Sequence, residues 1–218
     1  MDYLNLVHGF SAFDASVSKR REVFWEWIQR SVALLMLIVL SPLVVALFVS
    51  VKVTSPGPFL FRQKRAGLKG QEFIIYKIRT MSVGSEETTA LGVTNRNPRI
   101  TRVGRVLRAL KLDEIPQLLN IMMGEMVFVG PRPLPLTLDR ELRKSISGFA
   151  MRYQVRPGLT SIGQICIEDN AVGKEMVDDW RKRFSGELHY LKNKCVEYDI
   201  LMIFMTMMYV FKKNGTLR

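Results

Sequence analysis

Cysteine and histidine are nearly missing from this chain: Cys166, Cys195, His8 and His189 are all that its 218 residues contain. None of them has metal-ligand spacing, so a zinc site and a disulfide framework are both disfavoured, and a reducing, cytoplasm-facing setting fits best. No apolar run occurs before residue 31, and the stretch ahead of it, SKRREVFWEWIQR, is charged and aromatic. A cleavable signal peptide would need an earlier apolar region followed by a small-residue cleavage site, so the first apolar run is expected to be a retained anchor. From residue 52 onward there is no low-complexity tract and no internal repeat, which leaves one domain with a modest core. Acidic charge is also scarce. The 20 Asp and Glu against 32 Lys and Arg leave a formal charge of +12, which points to anionic partners: nucleic acid, a membrane face or phosphorylated small molecules.

The uncharged run 31–51, SVALLMLIVLSPLVVALFVSV, lies between Arg30 and Lys52. At about 1.5 Å per residue, a straight helix of this length matches a hydrocarbon core of roughly 30 Å. Ser41 and Pro42 sit at its centre, where the proline ring removes a backbone hydrogen bond and a kink is expected. Both flanks are basic: Lys19, Arg20, Arg21 and Arg30 before the run, Lys52, Arg62, Lys64 and Arg65 after it. Cytoplasmic flanks carry such charges, which favours a hairpin that enters one leaflet and returns, with a kinked spanning helix as the alternative. Phe24, Trp25 and Trp27 suit the headgroup level on either reading. The run 200–211 is too short to span. It fits a core helix or, with Lys212 and Lys213 behind it, a helix lying in the interface, and the latter is preferred.

The water-facing part, 52–218, reads as α+β and mostly helical. A β-hairpin is predicted at Phe59 to Gln63 and Phe73 to Ile78, with Gly67 and Gly70 in the turn. The polar stretch SVGSEETTALGVTNRN reads as a loop. RITRVGRVLRAL carries an apolar stripe of Val103, Val106, Leu107 and Leu110, with a basic ladder of Arg99, Arg102, Arg105, Arg108 and Lys111 on its other side. A short strand is predicted at VFV, a helix over 137–154, and an amphipathic stretch from Lys174 to Asn193.

The adjacent carboxylates Asp113 and Glu114 follow the ladder. Asp113 suits the N-cap of a helix with Pro116 in its first turn. It suits equally a carboxylate held against a phosphate, serving as nucleophile or as a ligand for a divalent cation. The ladder by itself is a solvated or headgroup-facing surface, and nucleic acid is disfavoured because the aromatics lie near the anchor rather than among the basic residues. Lys77 and Arg79 of YKIRTM share one strand face. Arg132 of GPRP lies between two prolines that limit its motion, which suits bidentate phosphate binding.

Four stretches, FWEWIQRSVALLMLIVLSPLVV, GPFLFRQKRAGLKGQEFIIYKIRTM, TRVGRVLRALKLDEIPQLLNIMMGEMVFVGPRP and RYQVRPGLT, follow one another in the order and near the spacing of the bacterial sugar transferases. The chain resembles the small monotopic phosphoglycosyl transferases of that family over roughly residues 19 to 215. The resemblance implies a re-entrant helix, 31–51, broken at Ser41-Pro42; an interfacial N-terminal segment, 1–30; and a catalytic domain, 52–218, whose C-terminal helix, about 196–213, is membrane-associated. It also implies transfer of a sugar 1-phosphate from a UDP-sugar to polyprenyl (undecaprenyl) phosphate, with release of UMP, Mg²⁺ and a covalent intermediate. This is the first membrane step in assembling an exopolysaccharide, O-antigen, capsule or glycoprotein glycan.

By motif match Asp113 is the nucleophile and contacts the metal, and Glu114 completes the dyad. Arg108 would hold phosphate, and Lys77 and Arg132, with Arg79 on the same strand, would hold the nucleotide-sugar. The setting implied is the bacterial inner membrane, with anionic lipids as partners, the catalytic part facing the cytoplasm and no nucleic acid; a homodimer is left open. No spanning helix precedes residue 19, as expected of the minimal form. Ser161 and Ile162 depart from the family's usual glycine and aromatic residue, in a region expected to shape the sugar pocket. The rival reading is a catalytically inactive membrane-bound scaffold.

Overall fold

The computed structural model describes residues 19–82, 99–166 and 174–215. The polar stretch read as a loop after Met81 and the divergent stretch after Cys166 lie outside the described residues, as do the first eighteen residues and the side chains of Lys212 and Lys213. One helix, α1 (Lys19–Thr54), dominates the N-terminal end. It begins before the uncharged run and ends beyond it. The antiparallel hairpin β1 (Leu60–Ala66) and β2 (Glu72–Ile78) follows, then α2 (Arg102–Ala109), a 3-10 turn at Leu112–Glu114 and α3 (Gln117–Met123). Two short strands, β3 (Val127–Val129) and β4 (Gly158–Thr160), pair in parallel around α4 (Leu136–Ser145) and a 3-10 segment, Phe149–Gln154. The described chain closes with α5 (Ile162–Cys166), α6 (Lys174–Asn193) and α7 (Val196–Gly215).

Helix α1 buries only a narrow stripe. Gln29, Ala33, Leu37, Leu40, Val44, Leu47 and Val51 turn inward at spacings of three and four residues, while their neighbours are largely exposed. Ala33 packs with Ile75, Leu118, Ile121 and Met126; Val51 packs with Ile78 and Leu107. Polar contacts fasten both ends to the same domain. Trp25 Nε1 donates to Asp199 Oδ2 at 2.9 Å, Arg156 pairs with Glu26, and Gln29 Oε1 accepts the Phe128 N–H at 2.8 Å. At the other end Arg79 Nη2 donates to the Ser55 carbonyl at 2.6 Å. Trp25 therefore turns inward, unlike Phe24 and Trp27, which are exposed. In mid-helix Pro42 has no N–H for the Ile38 carbonyl, and the Ser41 hydroxyl donates to that oxygen at 2.7 Å.

The part of the chain beyond α1 is organised by close backbone approaches. Gly104 of α2 lies so near the Thr80 carbonyl that a Cβ would collide with it. The Thr101 N–H donates to the same carbonyl at 3.0 Å, and Thr101 Oγ1 caps α2 by accepting the Gly104 N–H at 2.9 Å. The helix expected over 137–154 is two pieces, because the chain turns at Gly148, whose φ of 74° is left-handed, and resumes as 3-10. Helix α7 has a buried and an exposed face along its apolar run, and only the core expectation is met directly. Tyr198, Met202 and Met205 enter a core with Val129, Ile162 and Tyr190, while Ile200, Phe204, Met207 and Met208 stay exposed. Ile162, one of the two departures from the family pattern, is part of this apolar core.

Candidate active site

Asp113 does not cap a helix. Lys111 adopts a left-handed conformation (φ 58°) that ends α2, and the chain turns at once into the 3-10 segment carrying Asp113 and Glu114, so α3 starts only after Pro116. The tight turn puts two adjacent carboxylates into different surroundings. Glu114 Oε1 accepts from Lys77 Nζ at 2.8 Å and lies 3.5 Å from Arg132 Nη2. Burial alone would raise its pKa, but Lys77, Arg132 and Lys111 outweigh that and hold the carboxyl well below the usual range. Glu114 therefore stays ionised and is occupied by protein cations.

Asp113 is only 7% exposed, and among the described residues its carboxylate has no hydrogen bond or ion pair. Burial pushes its carboxyl up and Glu114 adds to the push, against Lys77, Lys111 and Arg108. Arg108 is oriented from below, with Nε donating to Thr80 Oγ1 at 2.8 Å, so the close contact of Gly104 with Thr80 also sets where this guanidinium stands. The arrangement is one uncommitted carboxylate surrounded by fixed positive charge. It can receive a phosphate, and a buried carboxylate of this kind can attack one.

The structure brings Asp113, Glu114, Lys77, Arg108 and Arg132 together. It separates Arg79 from them: the guanidinium is buried at the end of α1 against the Ser55 carbonyl, because β2 ends at Ile78 and the alternation that would pair Arg79 with Lys77 stops there. A metal finds no ready-made cage, since no group of three or more His, Cys, Asp or Glu converges among the described residues. The free Asp113 carboxylate nevertheless fits Mg²⁺, which binds through one or two carboxylates together with substrate phosphates.

The model of the family described as bacterial sugar transferase matches residues 20–213. The chain belongs to the bacterial sugar transferase family. It is 36% identical over 181 residues to UDP-glucose:undecaprenyl-phosphate glucose-1-phosphate transferase of Escherichia coli K12, an overlap covering 83% of this chain and 38% of that protein. It is 37% identical over 166 residues to UDP-N-acetylgalactosamine-undecaprenyl-phosphate N-acetylgalactosaminephosphotransferase of Aeromonas hydrophila, covering 76% of this chain and 38% of that protein. With the exopolysaccharide production protein ExoY of Sinorhizobium fredii the identity is 36% over 200 residues, covering 85% of this chain and 84% of that protein. The chain thus spans well under half the length of the first two relatives.

Arg65 and Asn120 belong to this cluster although the sequence gives neither a site role. Arg65 lies in the same charged group: burial, with Arg132 beside it, pushes its pKa down to about 9 against the pull of Glu114. The register signals it, because Arg65 pairs with Phe73 and Phe61 with Lys77, which places Arg65 and Lys77 on one face of the hairpin. Asn120 is fully buried. Its Oδ1 accepts from the Tyr76 N–H at 3.3 Å, and its Nδ2 donates to the Ile74 carbonyl and to Glu125 Oε2, each at 2.7 Å. It thereby substitutes for a missing strand on the outer edge of β2 and fixes Lys77 against the turn that carries Glu114.

Proposed function

We propose that this chain transfers a sugar 1-phosphate from a UDP-sugar to polyprenyl phosphate and releases UMP. The carrying observation is the buried, uncommitted carboxylate of Asp113 among Lys77, Lys111 and Arg108, beside a Glu114 already neutralised by Lys77 and Arg132. Asp113 attacks the sugar-proximal phosphorus; the new Oδ–P bond forms as the P–O bond to UMP breaks, and UMP leaves with the electron pair. An oxygen of polyprenyl phosphate then attacks the same phosphorus, freeing the Asp113 carboxylate and giving polyprenyl diphosphosugar. Splitting the transfer in two lets a water-borne donor and a membrane-borne acceptor use one site in turn.

Arg108 and Arg132 hold phosphate oxygens, and Lys77 keeps Glu114 ionised and in place. Mg²⁺, held through Asp113 and the donor diphosphate, would offset charge that builds on the phosphates. The relatives' names give UDP-glucose and UDP-N-acetylgalactosamine as the first donors to try.

The anchor we read as re-entrant and monotopic, on the cytoplasmic face of the bacterial inner membrane. Both ends of α1 are fastened to one domain and both flanks are basic. Helix α1 runs unbroken through Ser41-Pro42 in the structure, where the expected break is not seen. Pro42 nevertheless leaves the Ile38 carbonyl without its backbone donor there, which makes this the weak point at which the helix would bend in a leaflet. Ends held on one water-facing body do not lie on opposite sides of a bilayer. The exposed faces of α1 and α7, with Val106 and Leu110 beside the basic ladder of α2, would rest in the same interface with anionic lipids.

The test is UMP release by detergent-solubilised protein with polyprenyl phosphate, Mg²⁺ and a panel of UDP-sugars, comparing wild type with Asp113→Asn. Wild type is expected to release UMP with one donor, and the substitution to lower turnover by about 10⁴-fold or more. Comparable release by a verified Asp113→Asn protein would remove Asp113 as nucleophile, and no release with any donor from folded wild type would favour the scaffold reading.

A further inference from the structure

Behind the site lies a second pair of opposite charges that the proposed reaction does not touch. Arg152 and Glu187 are 3% and 2% exposed, and Arg152 Nη2 donates to Glu187 Oε1 at 2.9 Å. The Arg152 guanidinium lies over the rings of Phe149 and Trp180, at 4.7 and 5.6 Å from their centroids, so it is sealed on its faces as well. Such a pair is a poor source of stability, because taking two charges out of water costs about as much as their attraction returns. Glu187 adds to that cost, since its Oε2 is buried with no hydrogen-bond partner among the described residues. An arrangement this costly is better explained by what it holds.

It holds the backbone of Arg132. Glu187 Oε1 accepts the Arg132 N–H at 3.2 Å, and Arg152 Nη2 donates to the Arg132 carbonyl at 2.6 Å. The segment around it is fully accounted for. Pro131 and Pro133 have no N–H; the Pro131 carbonyl accepts from the Gly158 N–H at 3.0 Å, and the Pro133 carbonyl accepts from Arg65 Nη1 at 3.0 Å. Every backbone donor and acceptor from 131 to 133 is therefore tied to the protein. Arg132 also precedes a proline, which restricts it to extended conformations. Its side chain is what remains, and that side chain reaches Glu114.

We infer that Glu187 and Arg152 are positioning residues that clamp both sides of the Arg132 peptide and thereby set where its guanidinium meets Glu114 and the substrate phosphate. The inference rests on the proposed transferase reading for its effect on rate, but not for the clamp itself. Glu187 reaches the site from α6, some 55 positions along the chain from Arg132. The amphipathic pattern of that helix gives it no mark as a site residue.

The test has two arms. In the first, Glu187→Gln is made in wild type and in Arg132→Ala, and kcat/KM for the UDP-sugar is measured on protein shown to be folded. If Glu187 acts through Arg132, the substitution lowers kcat/KM by ~10- to ~100-fold in the wild-type background, as a small misplacement of a positioned group does. In the Arg132→Ala background it changes little, because the group it positions is gone. Equal losses in both backgrounds would mark a general structural role and overturn the inference.

In the second arm, amide hydrogen exchange is followed for the peptide containing Arg132 in wild type and Glu187→Ala. Faster exchange there, with the Lys77 and Gly158 regions unchanged, supports the clamp; unchanged exchange at Arg132 in folded protein overturns it. If wild type turns over no UDP-sugar, the transferase reading fails while this second arm still decides the clamp.

Discussion

The floor of the site and the outer face of α1 break the same rule in opposite directions. In the floor, Glu114, Lys77, Arg132, Arg152 and Glu187 bring five charged side chains inside; along α1, Leu35, Ile38, Val39, Val45 and Val49 leave large apolar groups outside. Buried charge and exposed apolar surface are the two informative departures from ordinary burial, and each implies a partner that makes it favourable. For the floor, on the proposed transferase reading, the partner is anionic and arrives with the substrate. For the belt, on the same reading, it is hydrocarbon and is always there. The lesson is that one small domain can carry both departures at once, as the proposed reaction between a water-borne donor and a membrane-borne acceptor requires.

The comparison is broken most severely by removing charge from the floor. Glu114→Gln leaves Lys77 and Arg132 facing each other without a counter-charge, and a loss of about 10²- to 10³-fold in kcat is expected, the usual range for losing one preorganised electrostatic group. Steady-state UMP release at saturating donor measures it, and a loss under threefold would show that the floor's charges are spectators.

Placing charge in the belt comes next. Leu35→Lys with Val39→Lys alters two exposed positions and spares the packed stripe of Leu37 and Leu40. Lysine near a bilayer centre costs roughly 2.5–3.5 kcal/mol, so protein should move from the membrane pellet toward the soluble fraction. UMP release from a short, soluble prenyl phosphate should persist. A pellet fraction equal to that of wild type would show that these positions do not meet hydrocarbon.

The smallest expected effect concerns the contact that fastens the belt to the core. Asp199 is buried between Trp25 and Tyr190, and burial raises its pKa to about 6 despite those two hydrogen bonds. Between roughly pH 4 and pH 6 the folded protein keeps a proton that the unfolded chain has released. Stability is therefore lost as pH rises through that window, by up to about 3 kcal/mol from this group. Asp113 and Glu187, also raised by burial, act with the same sign. Tm in detergent is thus expected to fall from pH 5 to pH 7, with a shallower slope for Asp199→Asn; identical slopes would remove Asp199 as a contributor.

Much of the floor was legible because its residues sit in short motifs whose local geometry follows from their own chemistry. The hairpin falls where Gly67 and Gly70 punctuate alternating residues, and Pro131 and Pro133 mark Arg132 as rigid from the sequence alone. Asp113 and Glu114 were recognisable as a pair, but their opposite environments were not, because Lys111 had to adopt a left-handed conformation to turn them apart. Arg79 was misplaced for a related reason: strand alternation holds only while the strand lasts. Glu187, Arg152 and Asn120 were invisible because their partners lie far along the chain, and no local period encodes a hydrogen bond to a distant backbone. That Ile162 packs with Tyr190 and Tyr198 was equally out of reach, because those partners come from helices later in the chain.

The fully tied segment from Pro131 to Pro133 has a consequence in the timing of entropy loss. Ordering a flexible residue costs about 1–2 kcal/mol in backbone freedom alone, and an arginine on a loose loop would meet that cost each time a donor bound. Here the freedom is surrendered once, when the chain folds. Each later encounter finds the loop already still, so more of the contact energy between guanidinium and phosphate remains to hold the donor, turn after turn.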